Sequence, residues 1–304
     1  MTDPAQRKKK QSYMVTVSAV AGRAVLRPDA EATEIFETAL GYALSKTSVE
    51  LHAACASTNH YHLVVTDVEA ELGRFMGLLN QILATELNRH HGLTGPVFVR
   101  YHWEALDEAF ELYNAMTYTL TNPVKDGLAR TYDSWCGHVT KIGELGGKPR
   151  TVTRGRSGHN WSKRSKLERS YEIPVTIPEL LLAEDSPGGV RARLGKMVQQ
   201  SSRKWRSVHK DRPVMPKGKL RKLSPRVPRA RPKRYRGLDI GRRRKRLSFL
   251  RRRRLLERRD FVEKHRDAMT AWRERNREVV FPYGTYKMRR LHGVREADPP
   301  PPPS

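Results

Sequence analysis

The amino-acid sequence predicts an α+β fold, in which an antiparallel β-sheet carries helices on one face and a long basic extension follows. Three observations lead to this prediction. Segments of β-branched residues alternate with segments of helical periodicity, the order of the elements reads βαββαβα, and a tight turn joins two consecutive strands. This order is typical of the ferredoxin-like, split βαβ arrangement.

Each element follows from its local pattern. The first strand is predicted from alternating β-branched residues, and the first helix from Pro28 and Asp29, which favour a helix start and precede apolar residues on one face. The last helix is predicted to end at Pro123, because the residue before a proline disfavours helical geometry. The predicted elements are strand 13–20, helix 28–45, strands 49–57 and 60–66, helix 69–90, strand 97–106 and a helix from Asp107.

Two histidines share one face of the third predicted strand. His60 and His62 are two residues apart, so their side chains point the same way while Tyr61 points to the other face. Two imidazoles on one face form half of a metal site. Without further partners, the same pair would be read as a polar sheet surface.

A second spacing lies in the last predicted helix. Tyr118 and Asn122 are four residues apart and are therefore neighbours on one helix face, although Asn before Pro123 is also a common helix end. If this helix lies over the strand with the histidines, a metal ion, a third ligand and a tyrosine hydroxyl converge. A phenol titrates near pH 10, and a nearby divalent cation favours its phenolate. Such a set suits attack on a phosphodiester.

These motifs identify a family resemblance. The chain resembles the REP-associated tyrosine transposases of the HUH group of single-strand DNA nucleases over residues 13–130. The segments that carry the resemblance, in order, are Asn59-His60-Tyr61-His62, Gly95-Pro96-Val97-Phe98, Tyr118, Asn122-Pro123-Val124 and Gly127-Leu128.

The resemblance implies a specific chemistry. Tyr118 would be the nucleophile that forms a 5′-phosphotyrosine link, and the DNA substrate would carry a hairpin next to the cleavage site. His60, His62 and Asn122 would bind a divalent metal, and their mixed nitrogen and oxygen set suits Mg²⁺ or Mn²⁺. A homodimer is consistent with strand exchange, which handles two cut ends together.

The charge of the chain is divided unevenly. Residues 1–145 contain 13 Lys and Arg against 17 Asp and Glu, a net of −4, whereas residues 146–304 contain 46 against 15, a net of +31. We therefore expect one part to perform the chemistry and the other to bind a polyanion. Nucleic acid is the expected polyanion, with an anionic membrane surface or ribosomal RNA as alternatives.

Composition and charge divide the chain into five expected segments. We predict 1–12 as a disordered basic N-terminus, 13–145 as an HUH-type tyrosine transposase catalytic domain, 146–236 as a basic linker with short helices, 237–293 as a highly basic helical nucleic-acid-binding segment and 294–304 as a Pro-rich tail.

The cysteines and the hydropathy of the sequence indicate in which cellular compartment the protein is expected. The two cysteines, Cys55 and Cys136, form no metal-ligand spacing and no disulfide framework, which suits a reducing interior. No apolar run approaches the roughly 18 residues that a membrane span needs. We therefore expect a cytoplasmic, DNA-associated protein with no membrane partner.

Two other functions remain open at this stage. The chain could be a domesticated DNA-hairpin-binding protein without transposition activity, or a basic RNA-binding or ribosome-associated protein with structural histidines. Metal-dependent cleavage of DNA separates the first alternative from a transposase. A preference for RNA over single-strand DNA would favour the second.

Overall fold

The computed structural model describes residue 6 and residues 8–161, 167–211, 213–228 and 244–299. Two compact units are formed, one from residues 12–238 and the other from residues 1–11 together with residues 239–304. Among the described residues, no helix combines the length and the apolar character that crossing a membrane requires.

A four-stranded antiparallel sheet lies in the larger unit. The strands occur in the order β2-β3-β1-β4, which is the ferredoxin-like order, so the predicted α+β fold is confirmed. The elements in chain order are β1 (Gln11–Ser18), α1 (Ala30–Ser45), β2 (Val49–Ala56), β3 (His60–Asp67), α2 (Leu72–His91), β4 (His102–Leu106) and α3 (Ala109–Lys125).

The helices cover both faces of this sheet. The ring of Tyr61 packs against Phe36 of α1, and its hydroxyl donates to Asn80 of α2. The next side chain, His62, points to the opposite face, where its ring meets Tyr118 of α3. The expectation of helices on one face therefore holds for α1 and α2, whereas α3 lies on the other face. Nearly all of β3 is buried on both sides, which requires a cover on each.

The last helix of this sheet unit extends past its predicted end. We predicted a stop at Pro123, yet α3 continues to Lys125. A proline in the final turn removes a single backbone hydrogen bond, and the turn is closed by the N–H of Asp126, which donates to the carbonyl of Asn122 at 3.0 Å. Asn122 consequently has helical geometry, which fixes the direction of its side chain.

The segment 146–236, predicted as a basic linker with short helices, contains two strands as well as helices in its described part. Its elements are β5 (Arg150–Thr153), β6 (Ser170–Ile173), α4 (Glu179–Leu182), α5 (Pro187–Val208) and α6 (Lys217–Arg221). Strands β5 and β6 pair with each other and pack on α1, and α5 packs on α3. The few apolar residues of α5 fall at helical spacing, with Val190, Leu194 and Val198 buried. Residues 229–236 lie outside the described residues.

Two contacts between residues far apart in the sequence attach the β5–β6 pair to α1: an ion pair of Arg150 and a close approach at Gly41. Arg150 pairs with Glu37 of α1 at 2.6 Å and with Glu144 at 2.7 Å. Gly41 of α1 lies so close to β6 that a Cβ at this position would stand 2.6 Å from the Cβ of Tyr171. The close approach therefore depends on the missing side chain of a glycine.

The smaller unit contains two basic helices, α7 (Arg244–Arg273) and α8 (Tyr286–His292). Its small core comprises Ala268, Phe281, Met288 and Val294. Gln6 pairs with Thr285, so the described part of the predicted disordered N-terminus is ordered. The other N-terminal residues 1–5 and 7, and residues 300–304 of the predicted Pro-rich tail, lie outside the described residues.

The substitution Gly41→Ala tests how the β5–β6 pair is attached. The added methyl group would overlap Tyr171, and overpacking of this kind costs about 1–3 kcal/mol. Gly77→Ala is the matched control, because Gly77 lies exposed in α2 with nothing within 4 Å of its Cβ position. Denaturant unfolding should show lower stability for Gly41→Ala and a gain of about 0.5–1 kcal/mol for Gly77→Ala. Equal stability of the two variants would contradict this packing.

Candidate active site

The four residues predicted from the sequence converge where α3 crosses β3. The side-chain oxygen of Asn122 faces Nε2 of His60 at 3.1 Å, and its nitrogen faces Nε2 of His62 at 3.2 Å. The ring of Tyr118 meets the ring of His62 with 5.1 Å between their centroids. Asn122 is fully buried, so one amide group occupies the space between the two imidazoles.

Each imidazole is oriented by a partner on its second nitrogen. Nδ1 of His60 lies 2.8 Å from the side-chain oxygen of Asn59, whose nitrogen donates to the carbonyl of Gly22. Nδ1 of His62 lies 2.9 Å from the hydroxyl of Thr16 on β1. Histidine ligands of metals characteristically use their other nitrogen in this way, which fixes the ring and leaves Nε2 for the ion.

The two oxygens that face His60 favour a positive charge at its ring. A neutral imidazole carries one N–H, so it can satisfy only one of the two oxygens that face it, on Asn59 and Asn122. A second proton is disfavoured, because burial lowers the pKa of His60 even though the carboxylate of Asp126 opposes the shift. A cation at Nε2 would meet the unsatisfied oxygen.

The pKa of His62 is lowered further than that of His60, so the imidazole of His62 is neutral. Burial, with the neighbouring His60 and Lys125, lowers its pKa well below the ordinary value. The side chains of His60, His62 and Asn122 thus lie together, and with the amide turned so that its oxygen faces the ion, this set of two neutral imidazoles and one amide oxygen would fit a divalent ion such as Mg²⁺ or Mn²⁺. All three ligands are uncharged, so a bound ion would keep its full charge for an anionic substrate.

Two residues that contact the predicted site were missed by the sequence analysis. Nζ of Lys125 donates to the hydroxyl of Tyr118 at 2.8 Å, and burial lowers the pKa of this lysine to about 8 against the opposing charge of Asp126. The carboxylate of Asp126 lies 3.7 Å from Nε2 of His60. Lys125 is two helical turns after Tyr118, a spacing that would have revealed it had the helix not been predicted to end at Pro123.

Helix α5 supports the end of α3 from the side. Nε2 of His209 donates to the carbonyl of Lys125 at 2.6 Å, which satisfies one of the free carbonyls at the helix end. The hydroxyls of Ser201 and Thr121 meet at 3.1 Å. The segment beyond residue 145 thus helps to hold the site.

A second cluster that could bind a metal lies elsewhere in the larger unit. Potential ligand atoms of Asp29, Glu31 and His90 all lie within 4.8 Å of one another. Asp29 already has structural partners: one oxygen caps α1 at the N–H of Ala32, and the other pairs with Arg27 at 2.5 Å. Burial alone would raise the pKa of Asp29, but hydrogen bonds from His90, Ala32 and Arg27 lower it to about 2. A metal ion would compete with Arg27 for this carboxylate.

Comparison with known proteins gives limited information. No protein-family model matches the chain, and no curated protein matches it either. Among solved structures, a REP-associated tyrosine transposase bound to a REP hairpin is similar with a TM-score of 0.38 and 16% identity, over 44% of this chain and 80% of that chain. A likeness of this size establishes neither the family nor the activity of this chain.

Metal titration can distinguish the two clusters. We expect Mn²⁺, followed by electron paramagnetic resonance, to bind the wild-type protein and to bind His60→Ala at least about tenfold more weakly, because a ligand is lost. His90→Ala should bind as the wild type does. His102→Ala serves as the control, since His102 is an exposed histidine on β4. Weaker binding by His90→Ala with no change in His60→Ala would place the ion at the other cluster.

Proposed function

We propose that this chain is a metal-dependent single-strand DNA endonuclease and transposase that cleaves and rejoins DNA near hairpins through a 5′-phosphotyrosine intermediate. The observation that carries the proposal is that Tyr118 packs its ring against His62 while the amide of Asn122 lies between Nε2 of His60 and Nε2 of His62. The motif resemblance to REP-associated tyrosine transposases supports the same function.

The proposed cleavage step uses Tyr118 as the nucleophile. A bond forms between the phenolic oxygen and phosphorus while the bond from phosphorus to the 3′ oxygen breaks. Water takes the phenolic proton and returns a proton to the 3′ oxygen, which leaves as a hydroxyl. A phosphodiester is exchanged for another ester of similar energy, so the strand can be rejoined at a new 3′ hydroxyl without an external energy source.

His60, His62 and Asn122 would hold the Mg²⁺ or Mn²⁺ ion. When bound, the ion supplies a Lewis acid that neutralises charge on the scissile phosphate. The protein contributes the geometry. Thr16 and Asn59 orient the rings of His62 and His60, and the ring of Tyr118 packs against that of His62, which supports this role.

The partner is proposed to be single-stranded DNA with hairpin-forming repeats, and the basic helix α7 offers a surface for its phosphates. Residues 244–259 of the sequence contain nine Lys and Arg against one acidic residue, whereas residues 260–273 contain three against three. In this first half of α7, the side chains of Arg252, Arg258 and Arg259 are exposed. Contacts between arginine and phosphate give affinity and a steep salt dependence, but they do not select a DNA sequence.

A homodimer is the proposed assembly, because two copies of the chain could hold the two cut DNA ends together.

The proposed function predicts covalent capture of DNA. The purified protein, incubated with pools of hairpin-bearing single-strand DNA and Mn²⁺ or Mg²⁺, should give a shifted band on a denaturing gel, and chelator should abolish it. Tyr118→Phe should lose the band while retaining DNA binding, because only the attacking oxygen is removed. Tyr113→Phe is the matched control on the same helix, since Tyr113 is buried and packs against Arg193.

The other outcomes of this experiment are informative. Tight hairpin binding without an adduct on any sequence would identify a hairpin-binding protein that performs no strand transfer. Tighter binding of RNA than of single-strand DNA would favour an RNA-binding protein. An adduct that persists in Tyr118→Phe would show that another residue is the nucleophile.

Neutralising the first half of α7 should weaken DNA binding. Replacing Arg252, Arg258 and Arg259 by Gln removes up to three phosphate contacts, and each lost contact lowers the slope of log affinity against log salt by about 0.7 for a single strand. The matched control replaces Lys264, Arg266 and Arg273 by Gln in the mixed-charge half of the same helix. Binding measured by fluorescence anisotropy at several salt concentrations should change more for the first variant. Equal slopes would exclude this surface.

A further inference from the structure

A buried lysine contacts the proposed nucleophile. Nζ of Lys125 donates a hydrogen bond to the hydroxyl of Tyr118 at 2.8 Å and lies 4.6 Å from the centre of its ring. Only 8% of the lysine side chain is exposed. Lysine is rarely buried to this extent, because removing an ammonium group from water is unfavourable unless other groups compensate.

Interaction with the dipole of α3 explains the burial of Lys125 only in part. A cation in the last turn of a helix interacts favourably with the helix dipole, but an exposed side chain would serve that purpose equally well. A carboxylate oxygen of Asp126 is 3.8 Å from Nζ, farther than the oxygen of Tyr118 at 2.8 Å. The ammonium is therefore closer to the hydroxyl of Tyr118 than to the carboxylate of Asp126.

The position of this lysine is fixed by the surrounding structure. Its backbone lies in the final turn of α3, two turns after Tyr118, and its carbonyl accepts a 2.6 Å hydrogen bond from His209. The ammonium also forms an ion pair with Asp126 at 3.8 Å. Both residues of the contact between Nζ and the phenolic oxygen therefore lie on α3, and His209 holds the final turn of that helix.

We propose that Lys125 is a catalytic residue whose ammonium group stabilises negative charge on the oxygen of Tyr118, both when this oxygen attacks phosphorus and when it leaves. The proposal rests on the proposed function and assigns a role to a residue that lies outside the predicted metal and tyrosine motif. A hydrogen bond from a charged donor to a developing oxyanion is stronger than one to a neutral hydroxyl, so the contact favours the reacting state over the resting state.

The role is the same in both directions of the reaction. In cleavage, Tyr118 loses its proton to water, its oxygen bonds to phosphorus, and the 3′ oxygen departs and gains a proton from water. In rejoining, a 3′ hydroxyl loses its proton to water and bonds to phosphorus, and the oxygen of Tyr118 departs as phenolate. Lys125 keeps its three protons throughout and hydrogen-bonds to the oxygen that carries the charge.

The first test compares rates in full-length variants. Lys125→Met should slow both covalent capture and rejoining by about 10- to 100-fold, the usual effect of losing a hydrogen bond to a charged group, while hairpin binding is retained. Lys125→Arg should recover most of the rate because it keeps the positive charge. Lys141→Met is the matched control, since Lys141 lies 5.4 Å from the ring centre of Tyr132 in the same unit. Equal rates for Lys125→Met and the wild type would overturn the proposal.

A substrate with sulfur in place of the bridging 3′ oxygen identifies the atom on which Lys125 acts. A thiolate leaves without protonation, so the defect of Lys125→Met should persist on this substrate if the lysine acts at Tyr118. Disappearance of the defect would show that Lys125 protonates the leaving 3′ oxygen instead, and would overturn the assignment.

A further measurement does not depend on activity and covers the case in which Lys125→Met folds poorly. Tetranitromethane modifies tyrosine phenolates, and mass spectrometry of peptides locates the product. Without DNA, Tyr118 should be nitrated about tenfold more slowly in Lys125→Gln than in the wild type, with the other tyrosines as internal references. Unchanged nitration of Tyr118 would contradict the proposed contact. If the wild type forms no adduct with any hairpin, the proposed function itself fails.

Discussion

The packing of α3 across β3 is the constraint on which the candidate site depends. The amide of Asn122 lies fully buried between the imidazoles of His60 and His62, and it meets both through its two polar atoms. A shift of α3 by one residue would turn this amide away and leave buried polar groups without partners, which is costly. The contacts of Asn122 with the two histidines therefore also fix the register of the helix.

One helix supplies three of the groups that converge here. Tyr118, Asn122 and Lys125 follow one another at intervals of four and three residues, so they lie along a single stripe of α3. The same helix also packs on α5, and His209, which follows α5, donates to the carbonyl of Lys125. The folded segment after residue 145 thus acts on the site indirectly, by holding the final turn of α3 in place.

The local patterns in the sequence predicted much of the fold and the main spacings of the site. Alternation places His60 and His62 on one strand face, and the four-residue interval pairs Tyr118 with Asn122. The element order predicted the antiparallel ferredoxin-like sheet that the structure contains. The same patterns failed beyond residue 145, because the few apolar residues of β5, β6 and α5 stand among many charges and are buried only through contact with α1 and α3.

The sequence by itself therefore determined which residues share a face of a strand or of a helix. It also determined the order in which the elements follow one another. Only the tertiary structure decided which sheet face α3 covers, that α3 continues through Pro123, and that Lys125 reaches the hydroxyl of Tyr118. These features depend on contacts between residues far apart in the chain, such as His209 with Lys125. Local propensity cannot specify such contacts, because their free energy arises only when the elements are packed together.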